Sequence, residues 1–442
     1  MPSISLIFKI HQPVYLRQYR FFDIGKEDYY YNDYLNKSVI QRLAKNCYLP
    51  ANETMLKLIK MHGDQFKLSY TISGITLELL KVYAPEVIES FAKLAQTGNV
   101  EFLAETYAHS LASLKNPDEF VRQVEKHQAL IQSLFNTKPV FFCNSELVYN
   151  NIIGEMAGNL GFKGILTEGA KHVLGWRSPN FVYYNNLNPK LKVIVRNFKL
   201  SDDIAFRFNN TEWNEWPLTA DKFAAWLNTT DKKEETINIV LDYHILGEYM
   251  NATSGIFNFF TALPAQVINK TNFTFATPSE IITKHQPVAP FIANTPISWA
   301  DEERDLTTWT GNELQNEALT KLYLLKEKVY LANDNKLYKN WERLQISDHF
   351  RYMSNKLHTE AIYNRLFNPY SSPYEAFINY MNVLSDFTKR VNEAVELTEN
   401  ENLTDKQIKD IINFYEEEIQ LLLSKLKDRK EDIFYNADNE PI

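Results

Sequence analysis

The sequence predicts an α/β protein, with a TIM-like barrel of parallel strands over residues 1–300 and a bundle of α-helices over residues 301–442. Up to about Pro290, short apolar segments alternate with helical stretches, which is typical of repeated βα units. After about Asp301 the candidate strands end, and apolar residues recur at spacings of three and four. With 442 residues and a hydrophobic fraction of 45%, the chain can form a core in each of two domains.

The candidate strands are short segments rich in apolar residues. The first has apolar side chains at alternate positions, Ile4, Leu6, Phe8 and Ile10, and the others span residues 66–72, 100–103, 140–143, 163–166, 192–197, 237–241 and 273–276. Seven or eight parallel strands with helices between them would close, or nearly close, a barrel.

Two apolar stripes at helical spacing characterise the C-terminal third. They consist of Leu319, Leu322, Leu325 and Val329, and of Ile411, Ile412, Tyr415, Ile419 and Leu422. We expect both stripes to pack in the helical bundle, and Trp309 to pack between the two domains in preference to contacting a ligand.

Charge and cysteine content exclude several classes of protein. The net charge of −8 argues against nucleic-acid binding and favours an uncharged ligand. The two cysteines, Cys47 and Cys143, provide neither a disulfide framework nor a CxxC metal motif. No apolar run resembles a secretion signal or a membrane span, so we expect a cytoplasmic protein that needs no cofactor and no metal.

Ionisable residues follow several of the candidate strands directly. Because a parallel barrel assembles its active site at the carboxyl ends of its strands, these residues are the candidates for chemistry. They are His11, Glu101, Glu105, Glu146 and Asp242.

Glu146 and Asp242 provide the pair of carboxylates that glycosidic bond hydrolysis requires. One carboxylic acid protonates the leaving oxygen, and the other carboxylate attacks or activates water. Asp242 ends a very apolar strand, and desolvation there would favour its protonated form. Glu146 follows Asn144 and Ser145, whose polar side chains could keep it ionised. This environment suggests Asp242 as the acid.

Five short segments carry a resemblance to glycoside hydrolases of family 57. They are HQP at 11–13, GNVEFL at 98–103, NSELVYNN at 144–151, DYHILGE at 242–248 and SDHFRYM at 347–353. Two further stretches, SDDIAFRF at 201–208 and WADEERDL at 299–306, resemble the α-amylase-like branch of that family.

The resemblance implies an incomplete barrel of seven strands, capped by a helical C-terminal domain that contributes to the active-site cleft. It also implies a retaining double displacement on α-glucan, such as α-1,4-linked glucose polymers, maltooligosaccharides or glycogen. Glu146 would be the nucleophile and Asp242 the acid/base, with their carboxyl groups about 5 to 5.5 Å apart. The expected substrate contacts are His11, Glu101, His109, Trp176, His244, Tyr249 and Asp348.

Some of these contacts have alternatives. His109 would either line the cleft or bond to the backbone. Trp176 would either contact glucose units or pack between domains. His244 stands where many family members have Glu, and Tyr249 stands where Trp is usual. An aromatic replacement preserves stacking, whereas a histidine titrates near neutrality and would alter specificity or activity.

Three other functions remain open from the sequence. A 4-α-glucanotransferase would use the same carboxylates, with a sugar hydroxyl instead of water resolving the intermediate. A non-catalytic glucan-binding homologue would keep the fold alone. A zinc-dependent deacetylase or mannosidase-like enzyme would use His11 and His109 as ligands, but such sites want an Asp near the first histidine, and Lys9-Ile10-His11-Gln12 has none.

Overall fold

The computed structural model describes residues 1–356, 367–400, 409 and 412–423, with backbone alone for 398–400. Its strands are β1 (Ser3–Ile10), β2 (Leu68–Ile72), β3 (Val100–Phe102), β4 (Phe141–Cys143), β5 (Gly164–Glu168), β6 (Tyr183–Asn185), β7 (Lys192–Arg196), β8 (Thr236–Asp242), β9 (Thr274–Phe275) and β10 (Pro290–Phe291).

Seven of these strands run parallel and form a ring. One sheet has the order β3-β2-β1-β8, and the other contains β7-β5-β4. Backbone hydrogen bonds join the two sheets at both edges: Cys143 donates to Ala104 at 2.8 Å, and Asn197 donates to Asn238 at 2.9 Å. The predicted seven-stranded barrel is therefore confirmed, and its two junctions are narrower than a full ladder, as an incomplete barrel requires.

The strand β1 is the centre of the barrel wall. It pairs in parallel with β8 over residues 3–9 and with β2 over residues 7–10, and its side chains are buried except for the partly exposed Lys9. The eighth candidate segment becomes the two-residue β9, which pairs with Ser3 and Ile4 at the start of β1. It lies at the end of the barrel opposite the carboxyl ends of the strands.

Helices cover the barrel between its strands and form the C-terminal domain. In chain order they are α1 (Asp33–Leu43), α2 (Leu49–His62), α3 (Gly74–Tyr83), α4 (Pro85–Ala95), α5 (Ala112–Lys115), α6 (Pro117–Phe135), α7 (Asn151–Asn159), α8 (Lys171–Leu174), α9 (Phe198–Ala205), α10 (Ala220–Leu227), α11 (Ile256–Lys270), α12 (Pro278–Lys284), α13 (Thr307–Thr310), α14 (Glu313–Tyr323), α15 (Lys326–Leu331), α16 (Asn335–Leu344), α17 (Ser347–Arg351) and α18 (Pro373–Asn400). Within the described ranges, none of them is long and apolar enough to cross a membrane.

The first apolar stripe packs as expected in the helical domain. All four of its residues are buried, and Trp309 is fully buried beside them in the same core. The second stripe behaves differently: residues 412–423 are helical, but Ile412 and Tyr415 are about half exposed, as are Ile419 and Leu422. Ile411 lies outside the described residues.

Ion pairs hold the helical domain against the barrel. The carboxylate of Glu342 on α16 is fully buried and lies 3.0 Å from Arg122 and 2.6 Å from Lys126, both on α6. Next to it, Arg343 contacts Glu78 of α3 at 3.0 Å. Because a buried carboxylate is costly unless it is paired, these contacts fix α16, and α17 directly after it, over the mouth of the barrel.

Gly247, in the loop after β8, is closely surrounded by backbone atoms. Its φ of +104° disfavours other residues, and a Cβ there would lie 1.9 Å from the carbonyl oxygen of Asn46. Gly161 has a similar φ of +89° but open space around it. We expect Gly161→Ala to lower the free energy of unfolding by about 1 kcal/mol and Gly247→Ala by about 3 kcal/mol, as measured by urea denaturation. Equal losses would show that the loop relaxes freely.

Candidate active site

A cavity opens at the carboxyl ends of the barrel strands, under the helical domain. Its volume is about 920 Å³, including the solvent at its mouth. Both parts of the chain line it. The barrel provides Lys9, His11, His109, Glu146, Arg196, Phe206, Asp242, Tyr249 and Trp299, and the C-terminal domain provides Asp348, Arg351, Tyr352 and Phe367.

Glu146 lies directly after β4 and is 95% buried, since its exposed fraction is 5%. Its backbone has a φ of +55°, in the left-handed region that non-glycine residues rarely adopt and that is concentrated at functional sites. Its Oε1 accepts a hydrogen bond from Ser347 Oγ at 2.9 Å, and its Oε2 accepts one from Trp299 Nε1 at 2.7 Å. Both carboxylate oxygens are therefore held in place.

His109 links Glu146 to a second buried carboxylate. Its Nδ1 lies 2.9 Å from Glu105 Oε2, and its Nε2 lies 3.5 Å from Glu146 Oε1. Burial alone would lower the pKa of His109, but hydrogen bonds and attraction to Glu105 and Glu146 raise it to about 9. At neutral pH His109 is thus an imidazolium between two carboxylates.

The charge of Glu146 is stabilised by cations. Burial acts to raise the pKa of its carboxyl, but the hydrogen bond and charge of His109, with the charges of Lys9 and Arg351, hold that pKa well below its ordinary value. The polar side chains suggested by the sequence bond elsewhere: Asn144 donates to Ser113 and to the Val148 carbonyl, and Ser145 bonds to Thr106. Glu146 is ionised as expected, for a different reason.

Asp242 ends β8 and reaches into the same cavity. Its Oδ1 accepts a hydrogen bond from the backbone N–H of His244 at 2.8 Å, and its Oδ2 accepts one from the Tyr249 hydroxyl at 3.3 Å. The side chain is 30% exposed, so the desolvation expected from the apolar strand is not observed. Unlike Glu146, Asp242 is therefore accessible to solvent and to a ligand in the cavity.

His244 stands behind Asp242. It is almost fully buried, and it is not among the described residues that line the cavity. Its Nε2 lies 2.6 Å from the Tyr48 hydroxyl, and its Nδ1 lies 2.9 Å from Asp242 Oδ1 without making a hydrogen bond to it. The structure therefore gives His244 a place from which it positions Asp242, whereas the sequence suggested a substrate contact.

His11 and Asp348 form a pair across the two domains. His11 Nε2 bonds to Asp348 Oδ2 at 2.9 Å, and its Nδ1 bonds to Ser73 Oγ at 2.7 Å. The ring stacks on His109, with centroids 3.9 Å apart. Burial and the repulsion of His109 lower the pKa of His11, against the opposing effect of Asp348. Since all four ring nitrogens of the two histidines face protein partners, the zinc-ligand alternative gains no support from their geometry.

Two of the expected substrate contacts lie elsewhere. Glu101 lies within β3, does not line the cavity in the described structure, and accepts hydrogen bonds from the backbone N–H and hydroxyl of Ser279 at the start of α12. Trp176 follows α8, is 95% exposed, and does not line this cavity in the described structure.

The structure adds residues to the expected catalytic pair and substrate contacts. These are Glu105, Trp299, Ser347, Lys9 and Arg351. The sequence already indicated Glu105, Trp299 and Ser347. Glu105 follows a candidate strand, and Trp299 and Ser347 begin segments that carry the family resemblance. Arg351 lies in one of those segments as well, with its guanidinium 5.4 Å from the centre of the Trp299 ring.

Comparison with known proteins gives a consistent family. Residues 5–292 match the family model described as glycosyl hydrolase family 57. A protein of Methanocaldococcus jannaschii that bears the name "Putative alpha-amylase" is 37% identical over 413 residues, which are 90% of this chain and 86% of the relative.

Two solved structures show the same fold. A family 57 branching enzyme from Thermococcus kodakaraensis has a TM-score of 0.67 at 11% identity, with 92% of this chain and 93% of that chain covered. The 4-alpha-glucanotransferase from Thermococcus litoralis has a TM-score of 0.56 at 14% identity, with 79% of this chain covered. This chain spans 54% of the length of that transferase.

The charge of His109 can be measured directly. We expect its imidazole resonances to titrate near pH 9, in ¹⁵N-histidine NMR spectra of the native protein. Glu146→Gln removes one of the two carboxylates that raise this pKa, so the titration should move to lower pH. The matched control is Glu101→Gln, which removes a carboxylate outside the cavity and should leave the titration in place. A titration of His109 that is the same in all three proteins would contradict the assigned charge pairing.

Proposed function

We propose that this chain, which belongs to glycosyl hydrolase family 57, cleaves α-glucan by a retaining double displacement with Glu146 as nucleophile and Asp242 as acid/base. The observation that carries the proposal is the contrast between two carboxylates in one cavity. Glu146 is buried and held ionised by cations, whereas the carboxylate of Asp242 is 30% exposed at the end of β8. Such a difference of environment is how paired carboxylates divide their roles.

In the first step, a Glu146 carboxylate oxygen attacks the anomeric carbon, and the bond from that carbon to the leaving oxygen breaks. Asp242 gives its proton to the leaving oxygen. In the second step, Asp242 takes a proton from water as the water oxygen attacks the anomeric carbon, and Glu146 departs as a carboxylate. The cations around Glu146 favour its ionised form. The attack in the first step and the departure in the second step both require that form.

The neighbours of the pair have supporting roles in this scheme. Trp299 and Ser347 orient the two oxygens of Glu146, so that little reorganisation precedes attack. Tyr249 bonds to Asp242 from the cavity side and offers a ring face on which a glucose unit can stack. Asp348 and His11 also line the cavity and offer polar atoms to sugar hydroxyls.

The α-glucan substrate follows from the family and from the names of the relatives, of which one is an amylase-like protein and others act in glucan transfer and branching. Hydrolysis is the proposed outcome, since the similarity at 37% identity is to the amylase-like protein. Transfer to a sugar hydroxyl would use the same two steps, with an acceptor in place of water.

Removing either carboxylate should abolish turnover in different ways. We expect Glu146→Gln and Asp242→Asn each to lower kcat on maltoheptaose by roughly four orders of magnitude. Azide needs no general base, so it should restore turnover by Asp242→Asn, with a glucosyl azide of retained configuration as product. Azide should not restore turnover with retained configuration in Glu146→Gln, because this variant lacks the nucleophile that double displacement requires. The measurement is the rate of product formation by chromatography, with and without azide.

Glu101→Gln is the matched control, since it alters a carboxylate on a neighbouring barrel strand that bonds to Ser279 outside the cavity. Its kcat should stay within a few-fold of that of the native protein. A Glu146→Gln protein with native turnover would remove the nucleophile from the proposal.

One experiment with maltoheptaose determines both the stereochemistry of the reaction and whether water or a sugar hydroxyl is the acceptor. Double displacement predicts that the first product is the α-anomer, seen by proton NMR before mutarotation. Hydrolysis predicts only chains shorter than the substrate, whereas transfer predicts longer chains as well. A first product in the β-configuration would contradict the retaining mechanism.

A further inference from the structure

The catalytic cavity continues outward along the barrel rim. Phe206 lines this cavity and also a second hollow, which lies between α9 and the loop before α13. Phe198 and Arg207 line that second hollow and also a third one, between the loops that follow β5, β7 and α10. The three hollows are therefore adjacent along the rim, and the outermost part of the row has a volume of about 1530 Å³, including open solvent. We call this outermost part the outer groove.

Tryptophans are concentrated at the outer groove. Trp213 and Trp226 line it, with ring centroids 5.9 Å apart and planes at 73°, and both remain partly exposed. Trp176 and Trp216, which are 95% and 46% exposed, follow or flank groove residues in the chain without lining the groove themselves. Of the tryptophans in the described structure, Trp213 and Trp226 are therefore the two that line the groove. Large apolar side chains left in water at one place mark a binding surface.

The polar side of the outer groove is fixed by hydrogen bonds. Asn197 donates to Asn180 at 2.9 Å, and Asn180 donates to Glu234 at 2.7 Å, so these amide and carboxylate groups have defined orientations. Charges of both signs line the groove, such as those of Arg177 and Glu215. A surface with mixed charges and ordered donors and acceptors suits a neutral ligand that carries many hydroxyl groups better than it suits a polyanion.

We propose that the outer groove binds a distal stretch of the same α-glucan chain whose scissile bond lies between Glu146 and Asp242. Trp213 and Trp226 would stack on glucose rings several units from the reacting one, because the axial C–H face of the sugar fits the negative face of an aromatic ring. This inference rests on the proposed function for the identity of the ligand. It makes the enzyme selective for long chains, since short oligosaccharides that fill the catalytic cavity do not extend to the outer groove.

The test compares long and short substrates in two tryptophan variants. For Trp213→Ala we expect the ratio of kcat/KM on amylose to kcat/KM on maltotriose to fall about tenfold. The matched control is Trp216→Ala, which removes a partly exposed tryptophan three residues away that does not line the groove, and should keep the native ratio. Trp213→Phe retains a stacking face and should recover most of the ratio, which separates loss of stacking from a folding defect.

Binding without turnover separates this inference from the proposed function. In proteins that also carry Glu146→Gln, affinity electrophoresis in glycogen gels should show weaker retardation with Trp213→Ala than with Trp216→Ala. If both variants bind glycogen equally and keep the native substrate ratio, the outer groove is not a glucan site, and the proposed function stands. If the native protein turns over no α-glucan but retardation still depends on Trp213, the groove stands and the proposed function falls. Absence of any glycogen binding overturns the inference.

Discussion

A single negative charge inside the protein, on Glu146, dictates the arrangement of the whole site. A buried carboxylate is costly unless cations and hydrogen-bond donors surround it, and here they come from four separate segments of the chain. The histidine that compensates it, His109, is itself buried and needs a second carboxylate, Glu105. The network of compensating charges therefore extends from Glu146 through His109 to Glu105. The helical domain adds a hydrogen bond from the hydroxyl of Ser347 to Glu146.

Local patterns in the sequence were enough to predict the strands and the residues at their ends. A period of two and a polar residue after an apolar run depend only on neighbours in the chain, so the barrel and the location of Glu146 and Asp242 in one cavity were accessible. Local patterns could not show whether Glu101 or Glu105 belongs to the site. The answer depends on where β3 ends, because Glu101 lies within the strand, whereas Glu105 lies beyond its last residue, Phe102, toward the cavity.

Properties that arise from distant contacts stayed out of reach. The pair His11–Asp348 joins residues 337 positions apart, and no local pattern indicates that their side chains meet. The charge of His109 depends in the same way on Glu146, which lies on another strand. Polar residues near Glu146 in the chain, Asn144 and Ser145, suggested the right ionisation state for the wrong reason, because their side chains turn toward other partners.

The buried ion pairs of Glu342 with Arg122 and Lys126 have a consequence for how such a molecule would fail. They hold the seam along which the helical domain meets the barrel, and two groups of the site, Ser347 and Asp348, belong to the far side of that seam. A slight parting of the two units withdraws these groups while the hydrogen bonds within each unit persist. We therefore expect heat inactivation to begin at the seam, before either unit melts.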